Sequence, residues 1–210
     1  MVQNIIKVND AKYSLIEKID KDINFKTCKI LDPCLGTGNL LLEIFENLIK
    51  KYQECNNQDL KEIIKQIYSR QLYGFDIDQS VVNLAKFIFI IKAIELCPSY
   101  LDDDNLVVPN FVCIQTPNIK RSRLHEVNVL IETMKDASLI GSLLRVPNYD
   151  YFTLLQSVTC KEEKEIIELA ILLNMKYDIV ITNPPYMGRK VLPNIILNYL
   201  NNHYKYAKSE

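Results

Sequence analysis

Chemistry is most concentrated in four consecutive residues of this 210-residue chain, Asn183, Pro184, Pro185 and Tyr186, which follow an apolar run over residues 177–182. Two adjacent prolines halt a strand and fix two φ angles, so the loop is stiff and Asn183 and Tyr186 are held in set directions. Such a loop suits reaction at an exocyclic amine conjugated to an aromatic ring, which is a poor nucleophile. The Asn183 side-chain carbonyl and the Pro184 backbone carbonyl can accept both amino hydrogens, favour a more tetrahedral nitrogen and aim its lone pair at an electrophile. This is positioning and electrostatics, with no covalent intermediate. Tyr186 can stack on a base flipped out of a duplex. The plainer alternative is a proline-rich turn after a buried strand.

Two earlier stretches offer ligand-binding chemistry. In ILDPCLGTGNLL, residues 30–41, Gly36 and Gly38 allow a sharp turn and a close backbone approach to a ligand, although such glycines also serve simply to cap turns. A dinucleotide fingerprint wants a third glycine at position 41, which Leu41 occupies, so pyrophosphate recognition is disfavoured. In LYGFDIDQS, residues 72–80, Asp76 ends an apolar run. A carboxylate there can accept both hydroxyls of a ribose, and Ile77 can cover the face of an adenine ring. Asp76 as a turn residue and Asp78 as a helix N-cap are the structural readings of the same pair.

These motifs need elements to position them. Residues 29–32 read as a strand, and 39–51 as a helix after the glycine turn. A helix over 60–68 leads to a second strand over 71–77, and the chain spent on that helix explains why Asp76 lies farther from Gly38 than the roughly 20 residues of a dinucleotide unit. Residues 79–95 form a helix so densely apolar that burial on most sides is predicted. A strand over 110–115, a mostly helical stretch over 122–175, a strand over 177–182 and an amphipathic helix over 192–204 complete the chain. Alternating strands and helices predict an α/β fold with a parallel sheet and right-handed crossovers, whose ligands bind at the carboxyl ends of the strands. All three motifs fall at such ends.

Composition narrows the class. With 48% hydrophobic residues and a formal net charge of −1, the chain carries enough core for one domain and no overall basic bias toward nucleic acid. DNA contact then rests on local patches, with Lys120, Arg121 and Arg123, then Arg189 and Lys190, as candidates, or on parts beyond this chain. The six cysteines (28, 34, 55, 97, 113, 160) form no C-x-x-C pair and have no histidine at ligand spacing, so no metal site is predicted. They fit a reducing compartment, packing as small hydrophobes. No apolar run approaches the ~20 residues of a membrane span and no targeting segment is visible, which predicts a cytoplasmic protein away from membranes.

In the order DPxxGTG, an Asp-ending second strand, then NPPY, the chain resembles the gamma-type amino-methyltransferases of DNA. More closely, LYGFDIDQSVVNLAKF, MKDASLIGSLLRVP and YDIVITNPPYMGRK are similar to the large adenine-N6 methyltransferases of fused restriction-modification (type IIG or IIS) and phage-defence (BREX/Pgl) systems. The resemblance spans residues 28–210, with 95–120 poorly matched. It implies a Rossmann-like class I fold and S-adenosylmethionine as cofactor. Asp32, Pro33, Gly36, Thr37 and Gly38 would cradle its methionine end and Asp76, with Ile77, its ribose and adenine. Asn183, Pro184, Pro185 and Tyr186 would bind an adenine flipped from double-stranded DNA. Pro33-Cys34 looks like the nucleophile pair of cytosine carbon-5 methyltransferases, but it lies inside the glycine turn, so Cys34 reads as a packing residue.

The departures carry expectations too. The acidic residue usual after the third strand is not evident, and Gln115 or Asn118 would replace it; a Thr-Pro segment that normally precedes the first motif is absent from residues 1–28. The sequence predicts one partial methyltransferase domain over 1–210, with an N-terminal helix over 1–28, a helical insertion over 116–176 between strands three and four, and no target-recognition domain. Only residues 187–210 follow Tyr186, too few for the remaining strands. The expectation is thus an incomplete chain, weakly active unless a C-terminal half supplies the missing strands. Two other readings stay open: a non-catalytic cofactor-binding or assembly half of a split enzyme, and a methyltransferase of release-factor glutamine or ribosomal RNA guanine amino groups, which share the NPPY loop.

Overall fold

The computed structural model describes residues 24–55, 59–102, 104–184 and 192–204. Where the sequence suggests one domain, the chain divides into two compact units. One is built from Met1–Cys113 and Lys176–Pro184, the other from Ile114–Met175 and Pro185–Glu210.

The first unit contains a parallel sheet of β1 (Ile30–Asp32), β2 (Leu72–Asp76), β3 (Asn110–Cys113) and β4 (Ile179–Val180), in the order β3-β2-β1-β4. Between its strands run α1 (Asn39–Cys55), α2 (Leu60–Arg70) and α3 (Gln79–Leu96). In α1 the buried residues Leu41, Phe45, Leu48, Ile49 and Tyr52 fall on one helical stripe, which is why this segment folds as a core-facing helix. Leu41, at the position of the absent third glycine, is fully buried among them. Asp59 and Asp78 start α2 and α3 by accepting from the amides of Lys61 and Ser80. Phe45, Tyr68, Phe89 and Phe111 pack at centroid separations of 4.9–5.9 Å to form the centre of the core. Buried Gln71, just before β2, donates through Nε2 to the Cys28 carbonyl and accepts from the Tyr52 hydroxyl at 3.0 Å, tying the entry of β1 to that of β2.

Three expectations change. The helix predicted to be buried on most sides buries only Val82, Ala85, Phe89 and Ala93, while Leu84, Phe87 and Ile91 are about half exposed. Its apolar residues follow no helical period, so density alone suggested burial where one face meets β2 and β3. The helix expected over residues 1–28 is, over its described part, a turn closed by the amides of Thr27 and Cys28 on the Asn24 carbonyl; residues 1–23 lie outside the described residues. The last strand is shorter than 177–182, since beyond Val180 only the Ile181 amide continues its pairing, to the Leu31 carbonyl.

The second unit is helical: α4 (His125–Thr133), α5 (Ala137–Ile140), α6 (Tyr151–Gln156), α7 (Lys161–Asn174) and α8 (Asn194–His203). α7 packs on α4 and α6, and α5 on α8. Lys120, Arg121 and Arg123 are exposed on this unit; Arg189 and Lys190 lie outside the described residues. Among the described residues no helix is long and apolar enough to cross a membrane.

Candidate cofactor and acceptor site

The turn after β1 and the end of β2 are joined through hydrogen bonds. The Gly36 amide donates to Asp76 Oδ2 at 2.9 Å, and the amides of Ile77 and Asp78 donate to Asp76 Oδ1 at 2.8 and 3.1 Å. Three amides fix the orientation of this carboxylate: two fill Oδ1 and one engages Oδ2, which keeps a further lone pair for a ligand hydroxyl. Ile77 beside it is 51% exposed, an apolar surface at the rim of the same strand end.

The glycines of the turn do different work. Gly36 has φ +52°, and a Cβ there would meet no atom within 4 Å, so the backbone conformation requires glycine and open space faces it. Gly38 has φ +81°, and a Cβ would lie 3.2 Å from the Phe89 ring, so this glycine lets the turn close onto α3. Leu35 fills the turn's interior at 3% exposure, and its amide donates to the Phe75 carbonyl at 2.8 Å. Cys34 beside it, read from the sequence as a packing residue, is part-buried. Gly74 within β2 makes room for Leu35: a Cβ there would stand 2.7 Å from Leu35 Cδ1. That residue was overlooked, although a glycine inside an apolar strand is itself a sign of close approach.

Asp32 is 1% exposed and accepts from the Cys34 amide at 3.0 Å. Burial pushes its carboxyl up to about 6, with the Cys34 amide and the nearby Thr182 hydroxyl opposing the rise and the Asp76 charge adding to it. Thr182 stands close enough to favour the charged carboxylate, yet its Oγ1 is buried without a hydrogen bond of good geometry to any group. Asn183 and Pro184 come directly after it, both exposed. Pro33 is half-buried and Thr37 exposed on the glycine turn. The structure therefore brings Asp32, Gly36, Asp76, Asn183 and Pro184 to the carboxyl ends of three adjacent strands. Pro185 and Tyr186 lie outside the described residues, and Gln115 and Asn118 are exposed on the second unit.

Residues 13–118 match the family described as N-6 DNA Methylase, and residues 70–210 match the Eco57I restriction-modification methylase family. The chain belongs to the N-6 DNA methylases. Among curated relatives, this chain is 22% identical over 239 residues to the adenine-specific methyltransferase BrxX of Escherichia coli O9:H4 (strain HS), covering 88% of this chain and 19% of that protein. It is 23% identical over 208 residues to the adenine-specific methyltransferase PglX of Lacticaseibacillus casei (strain Zhang), covering 86% and 17%. The chain thus spans about a fifth of the length of these relatives. A mixed α/β architecture with a small parallel sheet fits a methyltransferase fold.

Among the described residues no group of three His, Cys, Asp or Glu side chains is disposed to hold a metal. Cys28 is buried, which pushes its thiol up to about 11 and leaves it uncharged at neutral pH.

Proposed function

We propose that this chain is the cofactor-binding and acceptor-loop portion of a DNA adenine-N6 methyltransferase of a restriction-modification or phage-defence system, using S-adenosylmethionine. The observation that carries the reading is the Asp76 carboxylate, locked by the Gly36 amide at the carboxyl end of β2, beside an exposed apolar Ile77 and a glycine turn that opens onto free space. That combination suits a ribose and an adenine ring, and the buried carboxylate of Asp32 suits the ammonium of the cofactor's methionine end.

When bound, S-adenosylmethionine supplies a methyl carbon made electrophilic by its positive sulfur. The chain's own groups do the rest by placement. Asp76 accepts a ribose hydroxyl at Oδ2, Ile77 covers the adenine face, and Asp32 holds the amino-acid end on the Gly36 to Gly38 turn. The Asn183 side-chain carbonyl and the Pro184 backbone carbonyl accept the two amino hydrogens of the target adenine and direct its lone pair. Tyr186 provides the stacking surface for the flipped base. Double-stranded DNA, with the target adenine flipped out, is the substrate that this reading implies.

Calorimetric titration of the chain with S-adenosylmethionine tests the assignment. Asp76→Ala should weaken affinity about tenfold, the loss of a charge-assisted hydrogen bond. Equal affinity in parent and variant removes Asp76 from the site.

A further inference from the structure

Thr182 presents an unusual arrangement. A hydroxyl sealed from solvent normally finds a partner, because leaving it unsatisfied is unfavourable. Here Oγ1 of Thr182 has none of good geometry, although it lies next to the carboxylate of Asp32, itself 1% exposed. The backbone around it is pinned: the amide of Ile181 donates to the Leu31 carbonyl at 2.9 Å, so Thr182 emerges from β4 alongside the end of β1. The next residue in the chain is Asn183.

We infer that Thr182 is a positioning residue, whose hydroxyl donates to the charged Asp32 carboxylate and so joins the root of the acceptor loop to the turn that holds the cofactor's ammonium end. The inference rests on the functional reading above. A hydroxyl can rotate about χ1, and it gains a strong bond only when its neighbour is ionised. An ammonium docking at Asp32 keeps that carboxylate charged, which keeps the Thr182 bond and orients the backbone from which Asn183 and Pro184 project. Ligand binding and loop geometry are then linked through one hydrogen bond. The groups acting on Asp32 in the structure are the Cys34 amide, this hydroxyl and the Asp76 carboxylate, so of the three only Thr182 belongs to the strand carrying the acceptor loop.

Two variants separate this role from simple packing. Thr182→Val keeps the volume and removes the hydroxyl, while Thr182→Ser keeps the hydroxyl. Asp32 is titrated by carboxyl-carbon NMR in the ligand-free chain, and S-adenosylmethionine affinity is measured by calorimetry at pH 7. The expected result is that Thr182→Val moves the Asp32 midpoint upward from about 6 and weakens cofactor affinity roughly tenfold. Thr182→Ser should match the parent in both, and thermal melting at pH 4, where folded Asp32 is protonated, should show Thr182→Val no less stable than the parent. An unchanged Asp32 midpoint in Thr182→Val overturns the inference, and so does a shifted midpoint with unchanged affinity. A shifted midpoint in a parent chain that binds no cofactor overturns the functional reading and leaves the hydroxyl-carboxylate link standing.

Discussion

At Asp32 the fold holds a carboxylate in surroundings that disfavour its charge, and the sign of the consequence for stability is fixed. Its folded value of about 6 lies above the ordinary 3.8. Below 3.8 both folded and unfolded chains carry the proton and no penalty exists. As pH rises from there through 6, the unfolded chain ionises first, and stability falls by about 3 kcal/mol in total. Asp32→Asn should therefore show a flatter profile of melting temperature between pH 4 and 6.5, with the parent relatively most stable at the acid end. A parallel pair of profiles would show that Asp32 does not titrate in this window. The residue types at the site were legible in the sequence because Asp76, Asn183 and the two turn glycines sit where a strand run stops. Thr182 was not legible as special, since a hydroxyl without a partner is a property of three-dimensional neighbours, whereas Gly74 carried a readable sign as a glycine inside an apolar strand.

Among the elements, starts were the clearest feature to read, since an aspartate before an apolar stretch has a local effect: its side chain satisfies amides of the first turn. Asp78 does so for α3 at 2.8 Å, and Asp78→Ala should lower stability by about 1 kcal/mol in chemical denaturation. Faces were harder. In α3 the apolar residues surround the helix, and only the arrangement of β2 and β3 decides that Phe89 is fully buried and Phe87 is 58% exposed. Phe87→Ser should accordingly stay within about 0.5 kcal/mol of the parent, whereas Phe89→Ala should lose about 3–5 kcal/mol. Comparable losses at both positions would mean that Phe87 is covered in solution. β4 is shorter than its apolar run for a related reason: six apolar residues record β propensity, while the ladder pairs only Ile179 and Val180 with Ile30 and Leu31.

Across the whole molecule, the first unit is assembled from segments far apart in the chain. Asp178 accepts from the Lys29 amide across 149 residues, the Tyr177 ring meets Tyr73 edge-on at 5.2 Å, and β4 lies directly beside β1. Residues Ile114–Met175, joined by Pro185–Glu210, form the second unit, a division that reflects which contacts close over long loops. The same topology predicts an order of folding. Closing a loop of this length is entropically unfavourable until the surface it joins exists, whereas α1, α2 and β2 are neighbours in sequence and can condense first. Ile179 is 3% exposed, and Ile179→Val should lower stability by about 1 kcal/mol, raising the unfolding rate about fivefold with the refolding rate unchanged. Ile63→Val in α2, at 1% exposure, should instead slow refolding roughly two- to fourfold. The chain has twelve tyrosines and no tryptophan, so stopped-flow circular dichroism with tyrosine fluorescence follows both limbs. If Ile179→Val slowed refolding as much as Ile63→Val, β4 would already be docked in the transition state and would form with the glycine turn after β1 rather than later.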